Sequence, residues 1–183
     1  MKQIIFLFVL FVSSHTFASE YFDLYRVYVK AEAGYSFIVP EIENAYLESN
    51  CFQFTPSIGV FPFFLNDSFA IETSCFFGFG SSEYIDIRVI APKVMALFYI
   101  PVNEILDFYI LDFDTFFGVG LSAPIQCFEF NGEENTSVNF KLDMKLGLMY
   151  EFIDEIKFLV SFNSGLFRPW EWGISAGISY FLW

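Results

Sequence analysis

The feature that most constrains this chain is a repeated alternation of apolar and polar residues. Between residues 25 and 37 every second residue is apolar, and the residues between them include Arg26, Lys30 and Glu32. Successive side chains of an extended strand leave on opposite faces, so this alternation predicts a β-strand with one apolar face. No segment after residue 18 has a helical period, which argues against a helical fold.

The alternation recurs seven more times along the chain, so the sequence predicts eight strands. They cover residues 25–37, 52–60, 69–79, 85–91, 111–119, 138–150, 156–162 and 172–182. Three short connections, at 62–67, 100–104 and 151–155, alternate with mostly longer ones at 39–50, 80–83, 122–136 and 164–170. An even number of strands, joined by alternating short and long connections, predicts an antiparallel up-and-down arrangement.

The chain is both hydrophobic and strongly acidic in composition. Hydrophobic residues make up 55% and the formal net charge is −13. The hydrophobic content excludes intrinsic disorder, and the acidity argues against nucleic acid as a partner. No apolar stretch of about 20 residues follows the N-terminus, so helical membrane spans are excluded as well. Alternating strands could still present a continuous apolar face to lipid.

The polar faces of the predicted strands carry charges of both signs. Six bases and seven acids face inward in this assignment, which makes ion pairing inside a narrow barrel feasible. The predicted lumen network consists of Arg26, Lys30, Glu32, Glu72, Asp86, Arg88, Asp112, Asp114, Lys141, Asp143, Lys145, Lys157 and Glu171.

The apolar faces end in aromatic residues, as the faces of membrane barrels do. In lipid every backbone group must be paired, and eight strands close with an interior that side chains just fill. The sequence therefore predicts an all-β fold, a closed eight-stranded antiparallel up-and-down transmembrane β-barrel. A soluble lipocalin-like carrier with its apolar side inward remains an alternative.

Lys93 is the one defect in this pattern. It falls on the apolar parity of the fourth strand if that strand continues unbroken, and a lysine facing lipid would cost about 2–4 kcal/mol. A bulge at Ala91 and Pro92 would turn Lys93 inward, because proline is tolerated at bulges. We therefore expect an irregularity at this position.

The first 18 residues have the layout of a secretory signal peptide. Lys2 is followed by a nine-residue apolar run, and cleavage is expected between Ala18 and Ser19. The predicted domains are thus a signal peptide at 1–18 and a barrel at 19–183. Cleavage would also remove His15, the only histidine, which argues against catalytic or zinc-binding roles that depend on histidine.

No residue pattern predicts catalysis, a cofactor or a metal site, so a non-enzymatic protein is expected. Asp112 and Asp114 are interpreted as ion-pair partners rather than a cation site. Three cysteines permit at most one disulfide, and small apolar fillers are the favoured interpretation of Cys51, Cys75 and Cys127. Two predicted external loops are acidic, and their glutamates are Glu41, Glu43, Glu48, Glu129, Glu133 and Glu134.

On this pattern, residues 21–183 resemble the small eight-stranded bacterial outer-membrane barrels, the OmpA-transmembrane, OmpX and OmpW-like group. The C-terminus is similar to the assembly signal of these proteins, and its residues are Ser175, Gly177, Tyr180, Leu182 and Trp183. The resemblance implies an outer-membrane location, contact with membrane lipid and with the insertion machinery, and a structural or small-solute role. A surface-interaction role through the acidic loops is the alternative, and an unknown surface partner or small apolar ligand stays open.

Overall fold

The structure is a computed structural model that describes residues 25–39, 49–62, 68–81, 85–100, 113–130, 133–166 and 170–182. Almost all of these residues lie in strands. The strands are β1 (Tyr25–Val39), β2 (Ser49–Pro62), β3 (Phe69–Ser81), β4 (Ile85–Ile100), β5 (Phe113–Ser122), β6 (Ile125–Phe130), β7 (Glu133–Val138), β8 (Lys141–Ile153), β9 (Ile156–Gly165) and β10 (Trp170–Leu182). No helix in these segments is long and apolar enough to cross a membrane.

The ten strands form eight barrel strands, because two pairs of them are continuous. β5 and β6 both pair with β4 in one register, and β7 and β8 pair with β6 and β5 in one register. Every barrel strand is antiparallel to its neighbours in sequence, and β1 closes the ring by pairing with β10. The predicted closed, eight-stranded, up-and-down barrel is confirmed.

The strands are strongly tilted. A row of directly paired residues can be traced around the barrel from Val27 on β1, first to β2 and then to β3 and β4. This row returns to β1 at Phe37, ten residues further along the strand. For eight strands this stagger corresponds to a tilt of about 40°. We call the end with Tyr25 and Leu182 the lower end. Along such a row, each step to the next strand, taken in the order β1, β2, β3 and onward, lies about 3 Å closer to the upper end.

Most strands present the predicted faces. On β1, for example, Tyr28, Lys30 and Glu32 are buried while Ala31 and Tyr35 are exposed. The same parity holds on β2, β3, β8, β9 and β10, where the residues assigned inward are mostly buried and those assigned outward are mostly exposed. Charged residues therefore line the lumen, and apolar ones cover the outside.

β4 is the exception, and its predicted faces are wrong. Ile85, Ile87 and Val89 point into the barrel, whereas Asp86 and Arg88 are exposed on the outer face. The upper part of β4 lies near the upper end of the barrel, where we expect the outer face to meet water rather than lipid. Charged residues are favourable there, so hydrophobicity no longer marks the outer face.

This correction also explains Lys93, which shares the inward parity of Ile87 and Val89 and is buried. The register between β3 and β4 runs without a shift through Pro92, so the predicted bulge does not form. The irregularity is instead a gap in the ladder between β4 and the strand on its other side, at Ala123 and Pro124.

The predicted loop 122–136 is also wrong, because most of it is β6 and β7. These strands form a hairpin that continues β5 and β8 toward the upper end, where β6 remains paired with β4. β7 pairs with β6 alone among the described strands. The segment carries more polar residues than its neighbours, since its outer face does not need to be apolar above the membrane.

Candidate functional site: the charge network of the lumen

Eight charged side chains are buried together along the barrel axis. Four are lysines and four are carboxylates, so the set is neutral. They form two groups, each a ring in which every lysine faces two carboxylates. The lower square is Lys30, Glu32, Lys145 and Glu72, and the upper square is Lys93, Asp143, Lys141 and Glu171.

The lower square is the more tightly bonded of the two. The Nζ of Lys30 is 3.0 Å from Glu32 Oε1 and also pairs with Glu72. Lys145 pairs with Glu32 and lies 3.8 Å from Glu72 Oε1. All four side chains are at most 4% exposed, so these charges depend on one another rather than on bulk water.

Hydroxyl groups add hydrogen bonds to the Oε2 atom of each glutamate. Ser161 and Ser175 donate to Glu32 Oε2 over 2.7 and 2.8 Å, and the Tyr28 hydroxyl donates to Glu72 Oε2 over 2.8 Å. The Tyr28 ring reaches this position because it lies over Gly59, where a Cβ atom would collide with it. A glycine on β2 thus makes room for a hydrogen bond between β1 and β3.

The upper square is looser. The Nζ of Lys93 is 3.5 Å from both Asp143 Oδ2 and Glu171 Oε1, and the Nζ of Lys141 is 3.5 Å from Asp143 Oδ1 and pairs with Glu171. Lys93 also lies 4.7 Å from the centre of the Phe76 ring, which favours a cation at this position. In the sequence, the sign that Lys93 points inward is the free-energy cost of a lysine that faces lipid.

Apolar layers lie below and above the two squares. Below, a mostly apolar layer surrounds a void that has no room for a water molecule, and its lining is Tyr28, Lys30, Tyr99, Phe116, Met149, Leu159, Ser179 and Phe181. Above, a second buried cluster consists of Ile38, Cys51, Phe76, Ile85, Ile87, Val89, Ala91 and Phe128. The charges therefore lie between two apolar layers.

A smaller ion cluster lies at the lower rim. The Nζ of Lys157 is 3.3 Å from Asp114 Oδ2 and 2.9 Å from Glu151 Oε2, and these carboxylates are more than a third exposed. Arg26 is exposed near the same end. Water screens such pairs, so they contribute little to stability compared with the two squares.

The remaining predicted site residues are divided between several places. Asp86 and Arg88 lie on the outer face, and Asp112 lies outside the described residues. So do Ala18, Ser19 and Trp183. Of the other residues of the predicted assembly signal, Ser175 is buried in the lumen and Tyr180 is exposed on the outer face. No group of metal-ligating side chains occurs in the segments that the structure describes.

The outer surface of the barrel is an apolar belt with aromatic pairs toward its two ends. Toward the upper end the rings of Phe37 and Trp172 stack with centroids 4.2 Å apart, and Tyr35 contacts Phe52. Toward the lower end the pairs are Phe69–Phe98, Phe113–Tyr150 and Phe152–Phe158. Leucine, isoleucine and valine side chains about half exposed lie between these ends. Such a belt is the surface that a membrane barrel presents to lipid.

Solved structures with the same architecture are bacterial outer-membrane proteins. Neisserial surface protein A (NspA) matches with a TM-score of 0.64 at 12% identity, over 84% of this chain and 96% of that chain. Ail, the attachment invasion locus protein of Yersinia pestis, matches with a TM-score of 0.59 at 16% identity, over 87% and 99%. The N-terminal β-barrel domain of Pseudomonas aeruginosa OprF gives 0.56 at 14%, over 85% and 97%.

These identities establish the fold and nothing finer. No family model matches the chain, and no curated protein matches it in sequence. The predicted resemblance to small outer-membrane barrels is confirmed at the level of architecture. The chain has the fold of bacterial outer-membrane barrels, and the location that this fold implies is the outer membrane.

Proposed function

We propose that this protein is a non-enzymatic, integral outer-membrane barrel whose lumen is closed by its own ion pairs. The observation that carries the proposal is the pair of neutral, fully buried charge squares. A signal peptide at residues 1–18 would export the chain, leaving Ser19 as the first residue of the mature protein. The termini and the lower end would then face the periplasm.

The closure has a physical basis. A hydrated ion crossing the barrel would have to break the alternating contacts of both squares, and it would meet a lysine and a carboxylate at each step. The void below the lower square has no room for a water molecule, so a permeating ion would also lose hydration there. The lumen is thus built as a packed core.

Planar-bilayer recordings test this proposal. The purified barrel is expected to give no stable open level above the background of the bilayer. A porin of known conductance, recorded in the same bilayers, serves as the positive control for detecting an open level. The same samples, unboiled and boiled, should differ in gel mobility if the barrel is folded. A large stable conductance of the unmodified, folded barrel would refute the closed lumen.

A second candidate role is surface interaction through the hairpin of β6 and β7. Asp86 pairs across the sheet with Glu129, and Glu129 pairs with Glu134, so three exposed carboxylates form one row on the outer face. Like charges directly opposite each other destabilise a sheet, so a cationic partner would relieve the repulsion within this row. Ail, which shares the fold, is named for attachment and invasion.

The test of this second role removes charge without changing size. Cells that display the Glu129→Gln, Glu134→Gln variant are expected to adhere less to a surface coated with a lysine-rich peptide. The matched control is Asp154→Asn with Glu155→Gln, which makes the same charge change in the exposed turn at the lower end. Equal adhesion of both variants, at equal surface amounts, would contradict a role for the hairpin.

A soluble lipocalin-like carrier is not favoured. Such a carrier buries apolar side chains inside the barrel and exposes polar ones. Here the central lumen contains the charges, and residues such as Leu146, Val160 and Ile174 are more than half exposed on the outside.

A further inference from the structure

Arg88 lies on the outer face of β4, at the upper border of the apolar belt. The rings of Tyr35 and Phe52 contact each other at this border. Their cross-strand row continues through Phe79 of β3 to Arg88. Each step along the row lies about 3 Å closer to the upper end, so Arg88 is about 6 Å above Phe52. Because aromatic girdles mark the interfaces of membrane barrels, a side chain just above them lies at the level of the lipid headgroups.

The outer face changes in chemical character in three steps at this border. Ile90 and Ile125 pair across β4 and β6 and are 47% and 39% exposed, so the lowest step is apolar. Two residues further up, Arg88 contributes a positive charge. Two residues above it, Asp86 pairs with Glu129, and both side chains are exposed. The order from lipid toward water is thus apolar, positive and negative, with about 7 Å between successive steps.

The guanidinium group of Arg88 has no charged partner within the part of the chain that the structure describes. None of the ion pairs found among these residues involves it. Two cavities of about 340 and 350 Å³ flank it on the outer face, and both are lined by Arg88 and Asp86. One extends toward Phe79 of β3, and the other toward Ile125 of β6. The arginine therefore has space on both sides for a ligand.

The charges around Arg88 restrict what this ligand can be. A guanidinium group presents its N–H donors as a fork that fits the oxygens of a phosphate. A phosphate alone would be repelled by Asp86 and Glu129, which lie one step further out. A positive group on the outer side of the phosphate would turn this repulsion into attraction. The site thus favours a headgroup with both charges in that order.

We propose that this face binds a membrane lipid whose headgroup carries a phosphate and, on its outer side, an ammonium group. The phosphate lies against Arg88, the ammonium group between Asp86 and Glu129, and the acyl chains over Ile90 and Ile125. A phosphate and an ammonium joined by two carbons, as in phosphatidylethanolamine, fit the spacing of two residues on one strand face. We call Asp86, Arg88 and Glu129 the headgroup site. The proposal rests on the membrane location and not on a closed lumen.

Lipid titrations read by native mass spectrometry test the headgroup site. The folded barrel in detergent, with EDTA present, is titrated with phosphatidylethanolamine or with phosphatidylglycerol, which has the phosphate but no ammonium group. We expect phosphatidylethanolamine to bind about tenfold more tightly, because Asp86 and Glu129 attract its ammonium group and repel the unshielded phosphate of the other lipid. Addition of Mg²⁺ should leave this order unchanged.

Two substitutions separate the parts of the site. Arg88→Gln removes the phosphate partner and should weaken the binding of phosphatidylethanolamine about tenfold. The matched control is Arg26→Gln, which removes an exposed arginine at the lower end and should change this affinity less than about twofold. Asp86→Asn with Glu129→Gln should retain binding but abolish the preference between the two lipids. Gel mobility of unboiled samples verifies that each variant is folded.

Weaker binding with Arg88→Gln, together with loss of the preference in the Asp86 and Glu129 double variant, would support the proposal. Equal affinity of the unmodified barrel for both lipids would overturn it, and so would an equal loss with Arg26→Gln. Tighter binding of phosphatidylglycerol once Mg²⁺ is added would also overturn it, because a metal ion would then hold the lipid. A conducting lumen would leave these affinities unchanged, so the closed lumen and the headgroup site fail separately.

Discussion

Lys145→Met is expected to destabilise the folded barrel by about 3–5 kcal/mol, because it leaves the lower square with two buried carboxylates and one lysine. Lys145 pairs with Glu32 and faces Glu72, and all of these side chains are almost completely buried. Methionine keeps most of the volume, so the loss reports an unbalanced charge rather than a cavity. Urea unfolding of the barrel in lipid vesicles, followed by gel mobility, measures the change.

The same substitution elsewhere gives the control. Lys157→Met removes a lysine from the lower rim, where its two carboxylate partners are partly exposed, and should cost about 0–1 kcal/mol. Glu32→Gln combined with Lys145→Met restores neutrality and leaves the pair of Lys30 and Glu72. We expect the double variant to recover at least half of the loss. If Lys145→Met cost no more than Lys157→Met, the charges of the lower square would not depend on one another for stability.

Leu146→Arg is expected to destabilise the barrel by about 2–4 kcal/mol, as arginine does on the lipid face near the middle of a membrane. Leu146 lies midway along β8, is 53% exposed, and pairs with Phe117 and Phe162 on the adjacent strands. Its neighbours on the outer face are all apolar, so an arginine there has neither a partner nor water. Unfolding in vesicles of defined thickness gives the free energy.

Val138→Arg is the matched control for this prediction. Val138 is 59% exposed and belongs to the same barrel strand and the same face, but it lies at the base of the hairpin. An arginine near or above the membrane surface should cost about 0–1 kcal/mol. Equal costs at the two positions would mean that the apolar belt does not contact lipid where the fold places it.

The sequence was sufficient for the barrel because the strongest constraint is periodic. Lipid outside and a narrow core inside require opposite residue types on alternate positions, so strands such as 25–37 and 138–150 reveal both their presence and their faces. Lys30, Glu32, Asp143 and Lys145 were placed inside by this reasoning. Their partners could not be assigned, because the pairing of charges depends on the stagger around the barrel.

The same reasoning failed where lipid ends. Residues 85–91 alternate as clearly as any other segment, but above the membrane the apolar face turns inward and the charged face meets water. Asp86 and Arg88 were misplaced for this reason, and Lys93 then required a bulge that does not exist. The hairpin of β6 and β7 gives little strand signal in the sequence, because both of its faces mix polar and apolar residues.

The neutrality of each charge square has a consequence for how the barrel responds to voltage. Each square contains two positive and two negative charges in alternating order, so it has no net charge and only a short-ranged field. Displacing an intact square along the barrel axis transfers no charge across the membrane, and a potential difference does no net work on it. Because each square is neutral, the interior of this barrel is insensitive to membrane voltage as long as the squares stay intact, although it contains eight charged side chains.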